Sequence, residues 1–82
     1  MASRAELARR IAARITVQLR LPAEVEPGEV GDLAELGLTS MHAVVLVVGL
    51  EEEFGVRFPD EGLVIENFRT VESIAALVET SR

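Results

Sequence analysis

The segment of residues 40–54, "SMHAVVLVVGLEEEF", limits the possible folds more than any other part of the chain. Its centre, "VVLVV", favours a β-strand by propensity. The whole segment is much longer than a usual strand of about five or six residues, and it contains no proline. Gly55 follows as a typical helix stop. We therefore predict a helix over residues 40–54.

This helix would carry two apolar stripes. One has the spacing of a core-facing side and consists of Ala43, Leu46, Val47, Leu50 and Phe54. The other consists of Met41, Val44, Val45 and Val48. Burying both stripes would be hard in a small bundle, so we expect the second stripe to be partly exposed. Exposed apolar patches of this kind are typical of interaction sites. A helix that is buried on all sides is the alternative.

Apolar periodicity predicts two further long helices. The first covers residues 3–20, with Ser3 as its cap, and stops before Pro22 because residues that precede proline avoid helical angles. The last begins after Thr70, which is placed to cap it, and ends near Glu79.

Proline and acidic residues after the central helix predict one more, shorter helix. Pro59 interrupts regular structure, and we predict a short helix from Asp60 to about Glu66. A long first loop precedes the central helix, and we expect its apolar residues to pin it to the bundle: Val25, Val30, Leu33 and Leu36. Three long helices and one short helix predict an all-α four-helix bundle in a single domain, residues 1–82.

Charge and composition exclude several classes of function. The net charge of −6 divides into +4 over residues 1–20 (five Arg, one Glu) and −10 beyond them (three Arg, thirteen acids). An acidic body repels phosphate backbones, so we expect no nucleic-acid binding. No apolar run approaches the roughly 18 residues of a membrane span. Without cysteine there is no disulfide or thiolate metal site, which favours a reducing, cytoplasmic location.

Ser40 is the one serine that stands both at the start of a long helix and directly after a glycine-containing turn. Its hydroxyl could cap that helix, and the same position would also favour a phosphate. His42 is two residues away, and side chains at that helical spacing point to different faces. A serine hydrolase is therefore not predicted. We interpret Glu51, Glu52 and Glu53 as a solvated helix end rather than a metal or acid–base site.

The stretch "DLAELGLTSMHAVVLVVGLEEEFGVRFPDE", residues 32–61, resembles the signature of acyl carrier proteins and their peptidyl and aminoacyl carrier relatives. The matching features are a D-L-x-x-L-G-x-x-S-[LM] stretch, an apolar helix, E-[ED]-x-F-[GD]-[VI] and then P-D. With "FRTVESIAALV" added, the resemblance covers nearly the whole chain after the loop.

The resemblance implies both a modification and a set of partners. It implies that Ser40 receives 4′-phosphopantetheine from coenzyme A through a phosphopantetheinyl transferase, and that the chain carries an acyl or aminoacyl thioester without catalysing a reaction. An acyl- or amino-acid-activating ligase and a downstream transferase or synthase are the further partners, and a monomer is expected. The implied partner-binding residues are Thr39, Met41, His42, Val44, Val45, Val48 and Glu52.

Departures from the family pattern leave alternatives open. The family usually has Asp before the serine and acids along the helix, where this chain has Thr39, His42 and Val45. These differences favour partners of a specialised pathway, or an unmodified interaction module that lost the arm. The segment "GLVIENF" is longer than in common fatty acid carriers. We expect at least two of its apolar residues to lie in the core: Leu63, Val64, Ile65 and Phe68.

Overall fold

A computed structural model describes residues 3–82, and within this range it contains helices and no strand. Helix α1 is Arg4–Leu19, α2 is Ser40–Phe54 and α3 is Val71–Ser81. The predicted all-α fold and its three long helices are confirmed. The first two residues of the predicted domain lie outside the described part of the chain.

The starts of α1 and α3 follow the predicted side-chain caps. The Ser3 hydroxyl accepts a hydrogen bond from the Glu6 N–H at 3.1 Å. Thr70 accepts from the Ser73 N–H at 3.0 Å, and the Ser73 hydroxyl accepts from the Thr70 N–H at 3.2 Å. This reciprocal pair satisfies two N–H groups at the start of α3, so α3 begins at a fixed residue.

Left-handed residues end the first two helices. α2 stops at Gly55, whose φ of 65° is the conformation that glycine adopts most readily. At the end of α1 the same role falls to Arg20, with φ of 55°. Its N–H bonds back to the carbonyls of Thr16 and Val17, which turns the chain before Pro22 as predicted.

The core lies between α1, α2 and α3, and α1 and α3 have the most extensive contact. Each of the three helices contributes side chains that are almost completely buried: Leu7, Ile11, Ile15, Leu46, Leu50, Ile74 and Val78. The predicted inner stripe of α2 is confirmed, with Ala43, Leu46 and Leu50 buried and Val47 and Phe54 partly buried. The core therefore fixes which side of α2 faces outward.

The long first loop is pinned to this core. It contains two 3₁₀ turns, Pro27–Glu29 and Leu33–Leu36. Leu33 is completely buried, and Val30 and Leu36 pack against the core as predicted. Val25 does not pack against the core, so the prediction is wrong for this residue. Pro27 is also fully buried, although the sequence pattern does not indicate a core role for it. The loop thus closes one side of the bundle.

The predicted short fourth helix is a pair of 3₁₀ turns, Asp60–Gly62 and Ile65–Phe68. Gly62 lies so close to α3 that a β-carbon there would be 2.9 Å from Leu77 Cδ1. The Asn67 side-chain amide donates to the Gly62 carbonyl at 2.7 Å. Because a side chain binds this carbonyl and Leu63 adopts a non-helical conformation, the two turns remain separate.

Among the helices of residues 3–82, none has both the length and the apolar character that crossing a membrane requires.

Candidate functional site

Ser40 lies at the surface as the first residue of α2. The preceding turn reverses at Gly37, whose φ is 94°. Leu38 and Ala43, on either side of the serine, are buried at 7% and 8% exposure and hold this end of the helix in place. Within residues 3–82 the Ser40 hydroxyl has no hydrogen-bond partner. The serine is thus positioned by its neighbours and not by its own side chain.

The residue that caps α2 is Thr39, so of the two roles considered for Ser40, capping is excluded. The Thr39 hydroxyl accepts from the His42 N–H at 3.4 Å, and the Thr39 N–H donates to His42 Nδ1 at 3.0 Å. This is a capping box with histidine in place of the usual Glu or Gln. Thr39 has the extended backbone of a cap residue, while Ser40 is already helical.

His42 is half-buried and is used by the helix start. Because Nδ1 accepts the Thr39 N–H, that nitrogen is not available as a general base. The His42 carbonyl also accepts a hydrogen bond from the Gln18 side chain at 2.8 Å, which ties α1 to the first turn of α2. The sequence pattern indicates a surface histidine, and it misses both of these contacts.

The outward side of α2 is apolar, as predicted. Met41 is 75% exposed, Val44 and Val45 are 60% exposed and Val48 is 53% exposed. These four residues are called the outer face below. No charged residue occurs between Ser40 and Leu50. The alternative of a helix buried on all sides is therefore excluded.

An apolar groove of about 330 Å³ adjoins Ser40 between α2 and the segment that follows it. Val44 and Val48 form one wall, and Leu63, Val64 and Ile65 belong to the other. The prediction that at least two of the four apolar residues of 63–68 are core residues is wrong. Leu63, Val64 and Ile65 are 43%, 43% and 51% exposed, and only Phe68 is buried.

A second groove, of about 440 Å³, also adjoins Ser40. It is called the polar groove below because charged residues line part of it. The two grooves share Ser40, Ile65 and Phe68. The charged residues that line the polar groove are Asp32, Glu66 and Arg69. No sequence motif predicts this groove, because its residues come from three separate parts of the chain.

Asp32 and Arg69 form an ion pair in the polar groove, with Arg69 Nη2 3.2 Å from Asp32 Oδ2. The other Asp32 oxygen accepts the Ala34 N–H at 3.0 Å. This backbone hydrogen bond, followed by the Arg69 hydrogen bond and charge, lowers the pKa of Asp32, although desolvation opposes the shift. Asp32 is therefore held in its charged form.

Two of the three consecutive glutamates are not part of a solvated helix end, which corrects the prediction. Glu53 binds both Arg10 and Arg14 of α1, and its side chain is 20% exposed. Glu51 accepts the Phe58 N–H at 3.0 Å and fixes the chain after α2. Glu52 alone is exposed. No cluster of three or more metal-ligating side chains occurs in the part of the chain that the structure describes.

α1 and α2 approach closely at Gly49. A β-carbon at this position would be 2.5 Å from Arg14 Nη1, so a larger residue here would require the guanidinium to move. Arg10 reinforces the same contact, with its guanidinium 4.6 Å from the centre of the Phe54 ring. The C-terminal half of α2 is therefore tied to α1 by charge as well as by apolar packing.

The fold resembles that of a known carrier structure. Over 95% of this chain and 88% of the other, it matches the crystal structure of the acyl carrier protein from Thermotoga maritima, with a TM-score of 0.72 and 24% identity. At that identity the match supports the fold alone.

Sequence comparisons identify the family. The family model described as "Phosphopantetheine attachment site" matches residues 9–78. Aminoacyl carrier protein 1 of Bradyrhizobium diazoefficiens is 39% identical over 80% of this chain and 71% of its own length. The chloroplastic acyl carrier protein 3 of Cuphea lanceolata is 34% identical over 90% of this chain, which spans only 50% of that relative. Family members hold a covalently attached 4′-phosphopantetheine and are carriers, not enzymes. The chain belongs to this family of carrier proteins with a phosphopantetheine attachment site.

Proposed function

We propose that this protein is an acyl or aminoacyl carrier whose phosphopantetheine is attached to Ser40. The observation that carries the proposal is the exposed Ser40 hydroxyl, which has no hydrogen-bond partner within residues 3–82. A transferase can approach such a hydroxyl, and its reaction would break no internal hydrogen bond. The first turn of α2 presents backbone N–H groups and the positive end of the helix dipole to a phosphate.

The residues around Ser40 fit the phosphopantetheine group. In the apolar groove, Val44 and Val48 can contact the alkyl parts of the phosphopantetheine. In the polar groove, Arg69 can bind its phosphate. When bound, the group supplies the thiol, absent from this cysteine-free chain, on which an acyl or aminoacyl group is carried as a thioester. The chain itself holds the attachment point at the surface and presents it to partner enzymes.

The proposed partner surface is the outer face together with Thr39, His42 and Glu52. Its support is the high exposure of the four apolar side chains and the absence of charge between Ser40 and Leu50. Binding to such a surface depends on apolar area more than on salt bridges. We assign to it the phosphopantetheinyl transferase, an acyl- or amino-acid-activating ligase and a downstream transferase or synthase of a specialised pathway.

The payload is an acyl or an aminoacyl group. The relative from Bradyrhizobium diazoefficiens is named an aminoacyl carrier, whereas other relatives are named acyl carriers. A monomer in the cytoplasm remains a prediction, and the names of several relatives place those proteins in chloroplasts.

Loading with coenzyme A tests the attachment site. The protein is incubated with coenzyme A and a broad-specificity phosphopantetheinyl transferase, and its intact mass is measured. We expect a gain of one phosphopantetheine in the wild type and no gain in Ser40→Ala. Ser81→Ala is the matched control and should be loaded normally. Loading of the Ser40→Ala variant, or none in the wild type, would contradict the proposal.

The payload is identified from protein purified from its native host. Hydroxylamine cleaves thioesters, so the mass of the hydroxamate that it releases distinguishes a fatty acyl group from an aminoacyl group. Release of a group that is neither acyl nor aminoacyl would contradict the proposed payload.

A further inference from the structure

Among the described residues that line the polar groove beside Ser40, Arg69 is the one cationic residue. The other charged residues of that groove, Asp32 and Glu66, are acidic. A phosphodiester on Ser40 would enter a region where the nearest stretch of α2, up to Leu50, contains no charge. The groove therefore offers a single side chain that can neutralise the phosphate.

The backbone of Arg69 is fixed, while its side chain is not. Its carbonyl accepts the Leu33 N–H at 2.6 Å, which joins the segment before α3 to the first loop. Phe68 is buried at 3% exposure, and Thr70 is the cap of α3. The Arg69 side chain, in contrast, is 59% exposed. Because its backbone is held in place and its guanidinium is exposed, Arg69 is suited to exchange one anionic partner for another.

The present partner of Arg69 can be replaced. Both the Nε and the Nη2 of Arg69 lie 3.2 Å from the same Asp32 oxygen, Oδ2. Such exposed pairs contribute little to stability. Asp32 keeps its second hydrogen bond, from the Ala34 N–H, when Arg69 moves away. A phosphodiester can accept two parallel guanidinium hydrogen bonds, an arrangement stronger than contacts to a single oxygen.

We propose, on the basis that Ser40 carries the tether, that Arg69 leaves Asp32 and binds the phosphodiester, holding the proximal part of the tether at the polar groove. Arg69 is then a positioning residue for the tether. The thiol end and its payload stay free to reach the apolar groove or a partner enzyme.

The test uses NMR spectroscopy of nitrogen-labelled protein to follow the Arg69 side chain before and after loading. The Arg69 Nε–Hε resonance, assigned by its loss in Arg69→Gln, is expected to move on loading. The resonance of Arg57, which is exposed and outside the groove lining, is expected to stay. The phosphorus resonance of loaded Arg69→Gln should differ from that of the wild type, whereas loaded Arg57→Gln, with the same change of charge, should match the wild type.

Two results distinguish failure of this inference from failure of the proposed function. If intact mass shows loading but the Arg69 and phosphorus resonances do not respond, the Arg69 assignment is wrong and the carrier function stands. If no phosphopantetheine is added, both are wrong.

Asp32→Asn provides a second variant that leaves Arg69 in place. Asparagine keeps the oxygen that accepts the Ala34 N–H but removes the charge that competes for Arg69. We expect loading to shift the Arg69 resonance further in this variant than in the wild type. A smaller shift, or none, would contradict the exchange between Asp32 and the phosphate.

Discussion

The inner stripe and the outer face of α2 both consist of apolar residues, but their environments are opposite. Leu46 and Leu50 on the inner face are at most 1% exposed, whereas Val44 and Val45 on the outer face are 60% exposed. The fold needs the inner face for its core. It does not need apolar residues on the outer face, so their presence there is better explained by partners than by stability.

The largest expected difference between the faces is in folding stability. Leu46→Ala should lower the free energy of unfolding by about 2–5 kcal/mol, because it leaves a cavity in the core. Val45→Ala should change it by no more than about 0.5 kcal/mol, since that side chain is mostly in water. Urea denaturation followed by circular dichroism measures both. Equal losses would mean that the two faces are not distinct.

The next effect concerns recognition. Val48→Glu should lower kcat/KM for loading by the transferase about tenfold, which corresponds to about 1.4 kcal/mol, because it places a charge in an apolar interface. Its unfolding free energy should stay within about 0.5 kcal/mol of the wild type. Ala5→Glu, an exposed position on α1, adds the same charge away from the outer face and should be loaded normally. A similar loss of kcat/KM in both variants would mean that the added net charge, and not its position on the outer face, causes the loss.

Substitutions at the start of α2 should have a smaller effect, on the free energy of unfolding. Thr39→Ala should cost about 1 kcal/mol of unfolding free energy, because it removes the cap and one partner of the capping box. Ser40→Ala, one residue later, should change stability by less than about 0.5 kcal/mol. If thermal or urea unfolding shows a larger loss of stability in Ser40→Ala than in Thr39→Ala, Ser40 and not Thr39 caps α2.

The smallest effect is at the C-terminal end of α2 and depends on pH. Burial raises the pKa of Glu53, but hydrogen bonds and charges from Arg14 and Arg10 outweigh it and hold the pKa below the ordinary value of 4.5. A lowered pKa in the folded state stabilises the protein above that value, and the stabilisation disappears as pH falls through the folded-state pKa.

Glu53→Gln should therefore cost about 0.5–1 kcal/mol near neutral pH and progressively less in acid. Glu52→Gln, with the same change of charge at an exposed residue, should show neither the loss nor its pH dependence. Urea titrations at a series of pH values compare the two. A pH-independent loss in Glu53→Gln would mean that packing, and not the ion pair, explains it.

The three long helices and the exposure of the outer face could be predicted, because apolar spacing and helix stops such as Gly55 are local signals. The cap of α2 could not be located to one residue, since Thr39 and Ser40 both carry hydroxyls and only the backbone conformation distinguishes them. The Arg contacts of Glu53 and the groove between Asp32, Ser40 and Arg69 depend on how distant parts of the chain pack. Sequence patterns contain no direct signal for such contacts.

Because Thr39 supplies the cap, the hydroxyl of Ser40 makes no hydrogen bond that stabilises the described bundle of residues 3–82. A group joined to that oxygen can be added or removed without disturbing the hydrogen bonds that start α2. Bare and loaded molecules should therefore share one fold and similar lifetimes against unfolding. A cell could then keep a pool of bare protein in reserve, with no need to modify each newly made chain at once.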